Sequence, residues 1–113
     1  MRTLLLGFHA LVELTVGAVM WARPAWFLGA PPPEMVDLAR AFGSGAGAVG
    51  LLSLLLIRRP EADRVALPTL ALYQLGIGIN QVLSPMPGVP PWVPPVFHLG
   101  LVAGFVALWV RGR

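Results

Sequence analysis

The chain contains no cysteine and no lysine, and only 12% of its 113 residues are charged. The missing cysteine excludes disulfides, thiolate metal sites and a cysteine nucleophile. Charge this scarce excludes an ordinary water-exposed surface, because soluble domains carry about 25% charged residues. All eight basic residues are arginines, and with abundant Ala, Gly and Pro this is the usage of a GC-rich bacterial genome. HExxH, GxSxG and a glycine-rich phosphate loop are also absent, and Gly76-Ile77-Gly78 is too brief to signal more than close packing. Ser44, Ser53 and Ser84 have no base beside them in the sequence. A nucleic-acid footprint would need a basic face with interleaved aromatics, and no soluble segment is present to carry one.

What is present is apolar: 57% of residues are hydrophobic and the mean hydropathy is +0.77. Four runs account for it, at 3–22, 35–57, 65–83 and 92–110. Each approaches the ~20 residues that cross a ~30 Å hydrocarbon core at ~1.5 Å per residue. Lipid offers backbone amides no partner, so only helices or closed barrels span it, and these runs are too long and uniform for barrel strands. The expectation is an all-α integral membrane four-helix bundle, a single domain over residues 1–113. The first run follows Arg2 as a signal peptide would. It is nevertheless long, carries His9 and Glu13 and lacks a small-x-small cleavage site, so it is expected to be retained.

Arginine sets the orientation. With four alternating helices, Arg2, Arg58, Arg59, Arg64, Arg111 and Arg113 fall on one side, and only Arg23 and Arg40 towards the other. The positive-inside rule then puts both termini and residues 58–64 in the cytoplasm of a bacterial inner membrane. The formal charge of +3 and the pI of 11.2 reflect this retention signal.

The connections differ in kind. Residues 22–34 hold Arg23-Pro24 and Pro31-Pro32-Pro33, with Trp21, Trp26 and Phe27 marking an outer interface on which a short helix can lie. Residues 84–91 carry no charge and read Ser-Pro-Met-Pro-Gly-Val-Pro-Pro, an extended semi-rigid link. Pro94 and Pro95 fall in the first turn of the fourth run and Pro68 near the start of the third, where a missing amide costs little. The charged turn at 58–64 is short and makes the second and third helices antiparallel neighbours. Gly43 and Gly47, with Gly50 beyond them, and Gly100 and Gly104 have the small-residue spacing of close helix contacts. They serve packing inside the bundle or a homodimer face.

Polar residues gain meaning by depth. Counted from the cytoplasmic ends, His9 lies about 9 Å in, Gln74 and Glu13 about 15 Å, His98 about 18 Å, Asn80 about 23 Å and Arg40 about 25 Å. His9, Glu13, Gly17 and Trp21 form one stripe at i+4 spacing. Intramembrane ionisable groups face protein or a wet cavity, so these side chains are expected to form a polar cluster in the middle and outer half. Arg40 and His98 are the candidate partners of Glu13. An arginine would keep the carboxylate ionised and slow to titrate, whereas burial without a partner would leave a neutral acid. His9 and His98 differ by about 9 Å in depth, against a bis-histidine haem. His9, Glu13 and His98 would need a further ligand to hold a metal. No cofactor or metal is expected.

Two resemblances arise from particular residues. Leu11-Val12-Glu13-Leu14 in the first of four helices resembles the small multidrug resistance transporters. In that family a first-helix acid is the proton and drug site, which implies such a role for Glu13. The strong arginine bias, the proline-rich loops and Arg40 depart from that pattern. Ala39-Arg40-Ala41-Phe42-Gly43, Gly47, Gly50 and the aliphatic run to Arg58-Arg59, preceded by Pro24, are similar to small four-helix bacterial membrane proteins of DoxX-like type over roughly residues 15–60. That resemblance implies a four-helix bundle with Arg40 in the family pattern and assigns no activity.

The leading expectation is a binding or accessory membrane protein. Its cluster of Glu13, Arg40, Asn80, His98, Gln74 and His9 would hold a small polar or amphipathic ligand or part of a larger membrane complex. The alternatives are a proton-coupled small transporter working through Glu13 and an intramembrane enzyme using His98 as base. Besides the lipid bilayer, a second copy of the chain is a possible partner, and nucleic acid is not.

Overall fold

A computed structural model describes residues 1–84 and 88–112, apart from the side chain of Phe27. Its elements are α1 (Arg2–Ala22), α2 (Ala25–Leu28), α3 (Pro33–Ile57), a single 3-10 turn (Pro60–Ala62), α4 (Asp63–Leu83) and α5 (Val93–Arg111). All regular structure among the described residues is helical, and the four long helices match the four apolar runs to within two residues at each end. The link at 85–87, Arg113 and the interfacial role expected of the Phe27 side chain lie outside the described residues.

Proline and glycine set most of the ends. Pro24 disfavours helical geometry in the residue before it, and Arg23 accordingly leaves the helix at φ −141° and ψ 60°. The short α2 closes at Gly29, whose φ of 73° suits a residue without Cβ. Pro33 opens α3, where its fixed φ suits the first turn and its missing amide would be unpaired anyway; Glu34 adds a favourable charge to that positive end. Pro94 and Pro95 open α5 in the same way, and Arg111 lies in its last turn.

The helices are not equally apolar. α1, α3 and α5 are long and apolar enough to cross a membrane. α4 has the same 21 residues as α1 but does not reach that standard, so three helices meet it where four were expected. Pro68, Thr69, Tyr73, Gln74, Asn80 and Gln81 dilute its hydrocarbon content.

The chain divides into two compact units, residues 3–58 and residues 59–113, with Arg2 grouped with the second. The first is an antiparallel hairpin of α1 and α3 held by glycines. A methyl group on Gly17 would lie 2.6 Å from the Gly43 carbonyl oxygen and 2.8 Å from the Gly47 nitrogen. One on Gly50 would meet the Leu14 side chain at 2.8 Å. Backbones therefore touch where side chains usually separate helices, as in small-residue membrane packing.

The second unit pairs α4 with α5 through Leu67, Leu70, Leu101 and Phe105, all buried. Pro68 sits inside α4, beyond the first turn, rather than at the harmless start expected for it. Its missing amide deprives the Arg64 carbonyl, four residues back, of its helical donor. The Trp109 indole N–H supplies that bond instead at 3.1 Å. Arg2 forms a two-pronged pair with Asp63, Nη2 lying 2.8 Å from Oδ1. Gly78 makes room for His98, whose Cβ lies 3.3 Å from where a methyl would project. Gly100 has open space beside it and gives no close helix contact in this unit.

Candidate functional site

His9 and Glu13 stand one turn apart on α1, a spacing that stacks them on the same face. Both are shut away from solvent, at 0% and 4% exposure. The close approach of α1 and α3 brings Ser53, also wholly buried, against the imidazole, with Oγ 2.8 Å from Nδ1 of His9. The other ring nitrogen, Nε2, lies 3.5 Å from Oε1 of Glu13.

Hydrogen-bond directions follow from the serine. Its hydroxyl has one proton, and that proton is donated to the Val49 carbonyl at 3.1 Å. Oγ therefore accepts, and Nδ1 of His9 carries hydrogen. A proton between Nε2 and Oε1 makes that contact attractive, whether it is written as imidazolium and carboxylate or as imidazole and carboxylic acid. The Val49 carbonyl, Ser53, His9 and Glu13 thus form a continuous polar relay across the α1–α3 hairpin.

The relay has the composition of a hydrolytic triad without its function. The serine proton is committed to a carbonyl, and Ser53 and His9 are wholly covered. No acyl group reaches Oγ in this geometry. Among the described residues no group of three or more His, Asp or Glu side chains could hold a metal ion.

Arg40 is placed elsewhere. Its Nε donates to the Trp21 carbonyl at 3.4 Å, and Nη1 lies 4.0 Å from Oδ1 of Asp37, with half the side chain exposed. Trp21 belongs to the last turn of α1, whose final carbonyls lack helical donors, so Arg40 caps that negative end. The expected pairing of Glu13 with Arg40 is corrected accordingly. Arg40 bonds the Trp21 carbonyl, and Glu13 lies eight residues further back along that helix, about 12 Å at the helical rise.

A second polar contact forms in the α4–α5 unit. The buried amide oxygen of Gln74 accepts a short hydrogen bond from Nδ1 of half-buried His98, fixing that ring's tautomer. Asn80 is exposed on α4 and outside this contact. Oε1 of Gln81 is buried and has no hydrogen-bond partner among the described residues. Gln74, Gly78 and Gln81 follow one side of α4, and in an antiparallel pair Gln81 comes level with the proline-rich start of α5. Pro94 and Pro95 have no amide to offer there.

Of the six expected site residues, His9 and Glu13 come together in one unit and Gln74 and His98 in the other. Arg40 and Asn80 join neither contact. Ser53 is the member of the buried polar contact that the linear reading missed. No linear signal marks it: the link between the two helices is centred near residue 28, and counting outward from there sets His9 against residue 46 or 47 rather than Ser53. No protein-family model, curated protein or solved structure matches this chain.

Proposed function

We propose that the chain is a small integral membrane protein of a bacterial inner membrane, with its arginine-rich end in the cytoplasm. Its working element is the Ser53–His9–Glu13 relay. The relay holds one exchangeable proton in the membrane interior and couples its release to binding of a small polar or amphipathic ligand. The membrane placement is supported by three helices of spanning length and by apolar side chains turned outward, such as Leu4 at 78% and Leu83 at 76% exposure. Water would penalise such a surface and lipid would not. The observation that carries the proton reading is the contact of Glu13 with an imidazole whose other nitrogen is already committed. The arginine expected beside that carboxylate, Arg40, is engaged instead with the Trp21 carbonyl and Asp37.

The test uses purified protein in weakly buffered detergent, with tetraphenylphosphonium as the amphipathic cation. Wild type is expected to release protons on addition of the cation, and Glu13→Gln to release none. Identical release from both proteins would remove the proposal.

A second reading makes the chain an accessory subunit, with the relay a polar fastening between α1 and α3. The near-complete covering of His9 and Glu13 favours it. It expects a larger complex to co-purify in mild detergent, and Glu13→Gln to lower stability without altering proton release.

A further inference from the structure

At the arginine-rich end of the second unit lies a half-open cavity of about 320 Å³, bordered by Glu61, Asp63, Arg64, Leu67, Leu108 and Trp109. Its volume is within the ~300–1,000 Å³ range of small-molecule sites. The floor is aliphatic, from Leu67 and Leu108, and Trp109 forms an aromatic wall held in place by its indole bond to the Arg64 carbonyl. That bond exists because Pro68 cannot satisfy the same carbonyl, so a helix defect and a rigid wall have one origin.

The charges of the rim select the ligand. Asp63 is taken by the two-pronged contact with Arg2, which removes its carboxylate from the account. The Arg64 guanidinium has no ion-pair partner among the described residues. Among the described residues the ion pair of Glu61 is with Arg59, at a loose 3.5 Å with both side chains largely exposed, and its charge also acts on Arg2. The cavity therefore offers one available positive group and one weakly engaged negative group above an apolar floor. A simple anion would meet Glu61 and a simple amine would meet Arg64, whereas a zwitterion satisfies both. Tryptophan beside arginine at the end of an apolar helix is also the chemistry of the headgroup level of a bilayer.

We infer that this cavity binds a phosphoethanolamine group, its phosphate on Arg64 and its ammonium on Glu61, with attached chains leaving over Leu67 and Leu108. The group can come from phosphatidylethanolamine or from a free headgroup. The inference rests on the membrane placement proposed above. Recovery of the chain in the soluble fraction would defeat that placement. Recovery from membranes without lipid selectivity would defeat the headgroup site alone.

The experiment exchanges the purified protein into micelles holding equal phosphatidylethanolamine and phosphatidylglycerol, and counts retained lipid by native mass spectrometry. Wild type is expected to retain phosphatidylethanolamine over phosphatidylglycerol. Arg64→Ala and Glu61→Gln are each expected to reduce that preference about fivefold, the size of one exposed charge contact, and Arg64→Lys to keep most of it. Circular dichroism checks that each variant retains its helix content. Displacement by soluble phosphoethanolamine would identify the free headgroup as the occupant; resistance to it would identify the lipid. Either result supports the site. Equal retention of the two lipids by wild type overturns the inference, as does a preference unchanged by both substitutions. A loss confined to Arg64→Ala, with phosphatidylglycerol retained as well, also overturns it and leaves a plain anion site.

Discussion

Gly17→Ala tests the glycine contact that aligns the relay. The new methyl would lie 2.6 Å from the Gly43 carbonyl oxygen, about 0.8 Å inside the 3.4 Å at which ordinary contact begins. Its opposing atoms are backbone, and the residues bearing them are already glycine, so nothing smaller can give way. The hairpin must open, and overpacking of this kind costs about 1–3 kcal/mol. Replacing glycine by alanine in a helix returns about 1 kcal/mol. Gly45→Ala isolates that gain, because nothing lies within 4 Å of its methyl. The difference between the two variants is thus the clash itself, about 1–3 kcal/mol in favour of Gly45→Ala. Unfolding in detergent micelles by heat or by added dodecyl sulfate measures it. Equal stability of the two variants would refute the backbone contact.

Three further outcomes follow from the same geometry. Trp109→Phe removes the donor to the Arg64 carbonyl and is expected to cost about 1 kcal/mol. In a Pro68→Ala background the restored amide takes over that carbonyl, so the cost should nearly vanish; an unchanged cost in the double-mutant cycle would show that Trp109 acts by packing alone. Ser53→Ala strips the acceptor from the buried Nδ1 of His9 and is expected to cost about 1–3 kcal/mol, whereas Ser44→Ala, at an exposed serine bonded only to the Arg40 carbonyl, should stay within about 0.5 kcal/mol. Arg40→Ala loses an exposed cap on α1 and should cost less than about 1 kcal/mol with the relay intact, as judged by retained proton release; loss of release would return Arg40 to the site.

The long helices were legible because hydrophobic runs of this length have few other solutions, and the prolines at 24, 33, 94 and 95 mark boundaries by steric rules that act within two residues. The short helix after Pro24 was also expected. Partners across a hairpin were less legible, since they depend on register. Arg40 and Glu13 look compatible by depth, yet the glycine contacts place Arg40 against the last turn of α1, beyond reach of the carboxylate. Ser53 looked like one of three unremarkable serines until the same register set it against His9. Pro68 was read by its distance from the end of the apolar run, but α4 begins two residues earlier, at Asp63, and that shift turns a harmless first-turn proline into one that strands a carbonyl.

The confinement of His9, Glu13 and Ser53 to a single hairpin bears on biogenesis. Every group of the relay is polymerised before the first residue of α4. In a membrane, α1 arriving alone would present an acid to lipid, at a cost of a few kcal/mol. Arriving as a hairpin with α3, it presents that acid already contacted by His9 and covered by the second helix. On the proposed membrane placement, the order of synthesis favours insertion of α1 and α3 as a pair.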